Sequence, residues 1–150
     1  MGAWIGLVGV VAGALLTLAS QHLIRNSEIR ERRDTFLLEQ LAIIVALSYD
    51  YQNRIWEERH GIAAGVVAAW DFGTYRLAEA KIRILCQDRK VLSALTSLNQ
   101  TGGELGRSWR TSPENVARTK AAIDAHSTAI EQFEAVSSKM LPRQRVQFPN

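Results

Sequence analysis

The sequence predicts an all-α protein, with one N-terminal transmembrane helix followed by a cytoplasmic antiparallel helical bundle of three to four helices, the first of them long. Three observations predict it. Residues 3–24 contain no lysine, arginine, aspartate or glutamate. Residues 26–60 contain no glycine or proline, and their apolar residues recur at spacings of three, four and seven. No stretch alternates apolar and polar residues as a half-buried strand would, and no internal repeat is present. With 150 residues, 47% hydrophobic and 22% charged, the chain has the composition of one folded domain. The expected organisation is an anchor at 1–24, a bundle at 25–141 and a tail at 142–150.

The first segment, MGAWIGLVGVVAGALLTLAS, runs on through Gln21 and His22 to Ile24. An apolar helix of just over about 20 residues covers a hydrocarbon core of about 30 Å. A cleaved signal peptide is the rival, but no lysine or arginine stands ahead of Trp4, and the small-residue site at Thr17-Leu18-Ala19 is weak. The cations Arg25, Arg30, Arg32 and Arg33 follow the span directly. By the positive-inside rule they leave the N-terminus outside and the C-terminal part in the cytoplasm, at an inner (plasma) membrane. At 100° per residue, Gly2, Gly6, Gly9, Gly13, Thr17 and Ser20 fall within an arc of roughly 80°. Such a smooth face lets two membrane helices approach closely, so the span is expected to pack against a second copy in the bilayer. Frequent glycine is also ordinary in membrane helices, which is the plainer reading of the same residues.

Ile29, Phe36, Leu37, Leu41, Ile44, Leu47, Tyr51 and Ile55 form the stripe of the long helix, with Arg30–Asp34 and Asp50–Arg54 as i, i+4 pairs. The run FLLEQLAIIVAL is short and holds Glu39, so it reads as buried core and not as a second span. His60-Gly61 is a plausible helix stop. A return helix is then expected from GIAAGVVAAW to about Cys86, burying Val67, Trp70, Leu77, Ala78, Ile82 and Leu85. Whether Ile62–Trp70 meets membrane or core stays open. Asp88 suits the cap of a third helix facing inward with Val91, Leu92, Leu95 and Leu98. Gly102, Gly103 and Gly106 make TGGELGRSWRTSPE a connection. Ser112-Pro113-Glu114 then restarts a helix, with Val116, Ile123, Ile130, Phe133, Val136 and Met140 as its apolar face until Pro142.

The glycine-rich anchor, the juxtamembrane RNSEIRERRDTFL, the helix ending RILCQDRKVLSAL and the last helix ending FEAVSSKM together give a familiar layout. It resembles the short, uncharacterised single-pass helical membrane proteins of actinobacteria. The resemblance implies a membrane-anchored α-helical protein and carries over no functional residue.

No catalytic, cofactor or metal site is expected. His22, His60 and His126 lack partners at helical ligand spacing, and no GxxxxGK[ST], GxGxxG or GxSxG occurs. The net charge of +3 comes from arginines interleaved with acids, so nucleic acid is not implied. The lone Cys86 reads as a small buried hydrophobe. Trp56, Trp70 and Trp109 with Tyr49, Tyr51 and Tyr75 are better read as core than as a ligand cage. The expected function is that of an interaction or scaffold protein, with the lipid bilayer, a second copy and an unidentified protein as partners. The alternative is a membrane-tethered sensor or regulator with a small ligand between the bundle helices, near Trp70, Tyr75 and Cys86.

Overall fold

A computed structural model describes residues 3–111 and 115–140, with side chains placed from Glu28 onward. The side chains of the expected span at 1–24, with its glycine face, and that of Arg25 lie outside what is described. So do Ser112-Pro113-Glu114 and the tail 142–150. Among the described residues, no helix is long and apolar enough to cross a membrane. The fold is all-α, in the order α1 (Ala3–Arg59), α2 (Phe72–Leu85), α3 (Arg89–Thr111) and α4 (Val116–Ser137), closed by a single 3₁₀ turn at Ser138–Met140. Two compact units divide the chain, 1–36 and 37–150. In the first, every side chain from Glu28 to Phe36 is exposed, including Arg30, Arg32 and Arg33. Ile29 and Phe36 therefore leave the expected stripe, and among the described residues Arg30 and Asp34 form no ion pair.

The second unit is the bundle. Leu37, Leu41 and Ile44 of α1 meet Ala78 and Ile82 of α2, Leu95 and Leu98 of α3, and Ile130 and Phe133 of α4 in one core. From Leu37 on, the run FLLEQLAIIVAL thus contributes to the core, as its length implies. Cross-links fix the helix directions: Gln52 and Tyr49 of α1 pair with Ser127 and Glu134 of α4, so numbers rise on one helix as they fall on the other. Asp50 and Arg54 form the second expected pair, at 2.7 Å. Cys86 is buried and its thiol is free.

α1 ends at the glycine that marks a stop in the sequence. Gly61 has φ 68°, and its N–H donates to the Glu58 carbonyl while the Ile62 N–H donates to that of Glu57. Those two bonds are the Schellman pattern, which satisfies carbonyls a helix end otherwise leaves bare. The return helix does not start there. Residues 60–71 form a loop, because Gly65 also takes a positive φ of 73° and α1 itself satisfies the loop backbone. Arg54 donates to the Val66 carbonyl, and Glu58 accepts from the Val67 N–H. α2 begins only at Phe72, capped by Asp71, whose carboxylate accepts from the Thr74 N–H at 2.9 Å. From that start, Tyr75, Ala78, Glu79 and Ile82 face inward and Leu77 points to solvent, 55% exposed, so the expected stripe is corrected at Val67, Trp70 and Leu77.

α3 departs furthest from expectation. It does not stop at Gly102 but runs through all three glycines to Thr111, and α4 starts at Val116 with Asn115 as its cap. Val116 is 60% exposed at that end and drops out of the inner face. Three helix-interior glycines cost about 1 kcal/mol each against alanine. Neighbours explain two of them. A Cβ on Gly102 would lie 3.2 Å from the His126 ring, and one on Gly106 would collide with the Tyr51 hydroxyl. Gly103 faces open space. Gly103→Ala is therefore expected to raise unfolding stability by about 0.5–1 kcal/mol. Gly106→Ala should lose that gain and cost about 1–2 kcal/mol, because the tyrosine ring must shift. Denaturant unfolding of the two variants, with Tyr51→Phe relieving Gly106→Ala, checks the difference.

Candidate functional site

The missing side chains on α3 leave a cleft of about 620 Å³ inside the second unit, within the size range of small-molecule sites. Ser48 and Tyr51 of α1, Trp70 of the loop, Tyr75 of α2, Asn99 and Gly102 of α3 and His126 of α4 line it, with Trp109 and Arg110 further along α3. Trp70 is the centre of the aromatic wall. Its ring lies 4.6 Å from Tyr51 and 5.2 Å from Tyr75 at tilted angles, which are favourable separations for aromatic pairs. Its indole N–H donates to the Leu47 carbonyl at 3.0 Å, so the loop that carries it is pinned to α1.

The polar wall is ordered from α2. Glu79 is buried, and its carboxylate accepts from Arg76 at 2.8 Å, Arg83 at 2.9 Å and the Asn99 amide at 2.7 Å. Asn99 thereby turns its oxygen toward Tyr75, whose hydroxyl donates to it at 2.7 Å. Burial pushes the Tyr75 hydroxyl up to about 12, against a smaller opposing pull from the Ser48 side chain, so the phenol stays protonated at neutral pH. Burial also raises Tyr51, with the Arg110 charge working the other way. The Ser48 hydroxyl is committed to its own helix, donating to the Ile44 carbonyl at 2.7 Å.

His126 is the unusual member. Only 2% of the residue is exposed, and its Nδ1 lies 3.1 Å from the Thr101 hydroxyl. That hydroxyl has one proton, which goes to the Leu98 carbonyl at 3.1 Å. Nε2 is buried and has no hydrogen-bond partner. Burial holds the imidazole down to about 4, while the Ser48 backbone opposes the shift, so the ring is neutral at pH 7. The chemistry on offer is an aromatic wall, the Glu58 carboxylate and an exposed guanidinium on Arg110 that forms no ion pair among the described residues.

The anchor residues Gly2, Gly6, Gly9, Gly13, Thr17 and Ser20 lie outside the described side chains, and Arg30, Arg32 and Arg33 take no part in the cleft. Of the three residues expected to line a ligand pocket, Trp70 and Tyr75 do so, whereas Cys86 is in the core. Of the six aromatics, Trp56 instead packs on His60 with ring centres 4.4 Å apart, and Tyr49 is 3.4 Å from Glu134 on the outer face. Sequence reasoning misses Asn99, Gly102, Gly106, Arg110 and His126 as members of a site. Gly102 and Gly106 stand four apart, a spacing that marks close helix approach and is the signal that could have found them. Among the described residues, no three histidine, cysteine, aspartate or glutamate side chains converge on a metal position.

Architecture and site together define a helical bundle with an aromatic-walled cleft. No family model matches the chain, and no match to it is found among curated proteins or solved structures.

A neutral buried histidine makes stability depend on pH in a definite direction. The unfolded ring takes a proton below its ordinary value near 6.5, but the folded ring resists until about 4. Between those values the unfolded state binds more protons, so stability falls as pH drops. Full-length protein is expected to lose about 2 kcal/mol from this residue between pH 7 and pH 5. His126→Gln should flatten that part of the curve, as read from denaturant midpoints at each pH.

Proposed function

We propose that the chain is a membrane-tethered sensor or regulator whose bundle binds a small ligand in the cleft walled by Tyr51, Trp70 and Tyr75. The observation that carries this reading is the cleft itself, with a pinned indole at its centre and the Glu58 and Arg110 side chains in its wall. Ligand sites characteristically combine such an apolar lining with a few convergent polar groups. The binding step is tested by a thermal-shift screen of the full-length chain in detergent against a metabolite library. At least one compound should raise the midpoint by several degrees, and Trp70→Ala should abolish the shift. A library without hits sinks the reading.

Residues 3–24 supply the tether, at an inner (plasma) membrane with the bundle on the cytoplasmic side. A second role, as a self-associating interaction scaffold, is favoured by the arc that Gly2, Gly6, Gly9, Gly13, Thr17 and Ser20 form on one helical face. Replacing Gly6 and Gly13 by isoleucine should weaken self-association in a membrane reporter assay while insertion is retained. Unchanged association would remove the glycine face as the contact.

A further inference from the structure

We infer that the outward face of α2 is a second membrane contact, an amphipathic surface that lies on anionic lipid headgroups with Leu77 and Ile84 as its inserted side chains. The contact takes its bilayer from the tether reading and is independent of any ligand in the cleft.

α2 carries two apolar faces. At 100° per residue, Gly73, Leu77, Ala80 and Ile84 fall within an arc of about 60°, directly opposite the buried Tyr75, Ala78, Glu79 and Ile82. All four are exposed, Leu77 by 55% and Ile84 by 78%. A helix that turns large aliphatic residues outward along one line, away from its own core, offers that line to something other than water.

Charge says what covers it. Arg76 and Arg83 stand on one flank of the stripe and Lys81 on the other. Glu79 is the one acid of α2, and its side chain is 7% exposed against 62% and 45% for the two arginines that bind it. The field that reaches solvent is therefore positive. The acids at the two ends, Asp71 and Asp88, are drawn onto the backbone N–H groups of Thr74 and Lys90, and the exposed Arg89 and Lys90 follow directly.

A second copy is a poor occupant. The stripe has the four-three-four spacing of a coiled-coil seam, which puts Arg76, Lys81 and Arg83 at the flanking positions that meet across a helix pair. Two copies of α2 would meet there with like charges. Glycine and alanine at alternate seam positions also give a partner helix few knobs to pack.

An anionic bilayer has neither defect. Its headgroups neutralise cations on both flanks, the long basic side chains reach them while their stems cover apolar surface, and acyl chains fill in around the small residues. Phe72, 60% exposed with the Arg76 guanidinium 5.8 Å over its ring, adds an aromatic residue at the same boundary.

Nitroxide labels at Leu77→Cys and Ile84→Cys test the contact, in the full-length chain reconstituted into phosphatidylcholine vesicles with and without about 30% phosphatidylserine. Cys86 is buried, and the wild-type chain labelled in parallel supplies the background. The ratio of collisions with oxygen, which concentrates in lipid, to collisions with a water-soluble nickel chelate should rise several-fold at both sites when phosphatidylserine is present. It should fall back in about 1 M salt, where the screening length is about 3 Å, and shrink with Lys81→Glu. Arg76 and Arg83 stay unaltered because they hold Glu79. A label at Thr128→Cys, on the exposed side of α4, should remain in water. Labels 77 and 84 in water on anionic vesicles, or an equal ratio in both vesicles, overturn the inference, while a chain that still floats with the vesicles keeps its tether. Shielding of both labels from both reagents overturns it in favour of a protein partner. A chain that associates with neither vesicle removes the contact and the tether together.

Discussion

Tyr51 packs its hydroxyl against Gly106, and His126 packs its ring against Gly102, so α1 and α4 both rest on a strip of α3 that has no side chains. Once Tyr51 is held there, its ring provides the surface on which Trp70 lies, and Trp70 in turn fixes the end of the loop before α2. Two further hydrogen bonds, from Arg54 and to Glu58, hold the middle of that loop. An added methyl group at Gly106 therefore propagates through Tyr51 to Trp70, a displacement that packed interiors transmit and do not absorb. The same strip keeps the cleft open.

A second constraint acts on the opposite wall. Glu79 is buried, yet three donors converge on its two oxygens, which is the condition under which a buried carboxylate is tolerated. The consequence reaches beyond stability. Because Asn99 donates to Glu79, its amide oxygen is the atom left for Tyr75, and the tyrosine proton is committed to it. The two arginines stay on the outer, more exposed side of α2, where water weakens their pairing. The orientation of the polar wall, more than the strength of any one ion pair, is what this network supplies.

How much of this is legible in the sequence depends on the kind of signal. Long-range periodicity is reliable: the α1 stripe from Leu37 to Ile55 and the stop at Gly61 are found as the spacing implies. Helix boundaries governed by tertiary contacts are not. Gly102, Gly103 and Gly106 read as a loop because intrinsic propensity disfavours glycine in helices, and the compensating partners, Tyr51 and His126, lie on other helices, beyond any local window. The 62–71 segment fails in the opposite way. Its alanines and valines suit a helix, but Gly65 at positive φ and the hydrogen bonds of Arg54 and Glu58 hold it as a loop. The site is half visible, since Trp70 and Tyr75 stand out by their chemistry, while His126 has no distinguishing neighbour in sequence.

The costs of this fold also concentrate at the cleft. A helix-interior glycine gives up about 1 kcal/mol, and a buried acceptor without a donor gives up about 1–3 kcal/mol. Other buried polar atoms lack partners too, among them the Ser108, Thr119 and Ser137 hydroxyls. Those groups differ in kind: each sits in a helix, where a hydroxyl can rotate toward the carbonyl one turn back, as Ser48 does to Ile44. The His126 imidazole and the Gln52 amide oxygen have no such freedom. The imidazole ring is clamped between the Thr101 hydroxyl and Gly102, with the Ser48 backbone of α1 acting on it from another helix. Burial of that ring is therefore part of what it costs to close α4 onto the glycine strip of α3, offset by the contacts it makes with Thr101 and Gly102.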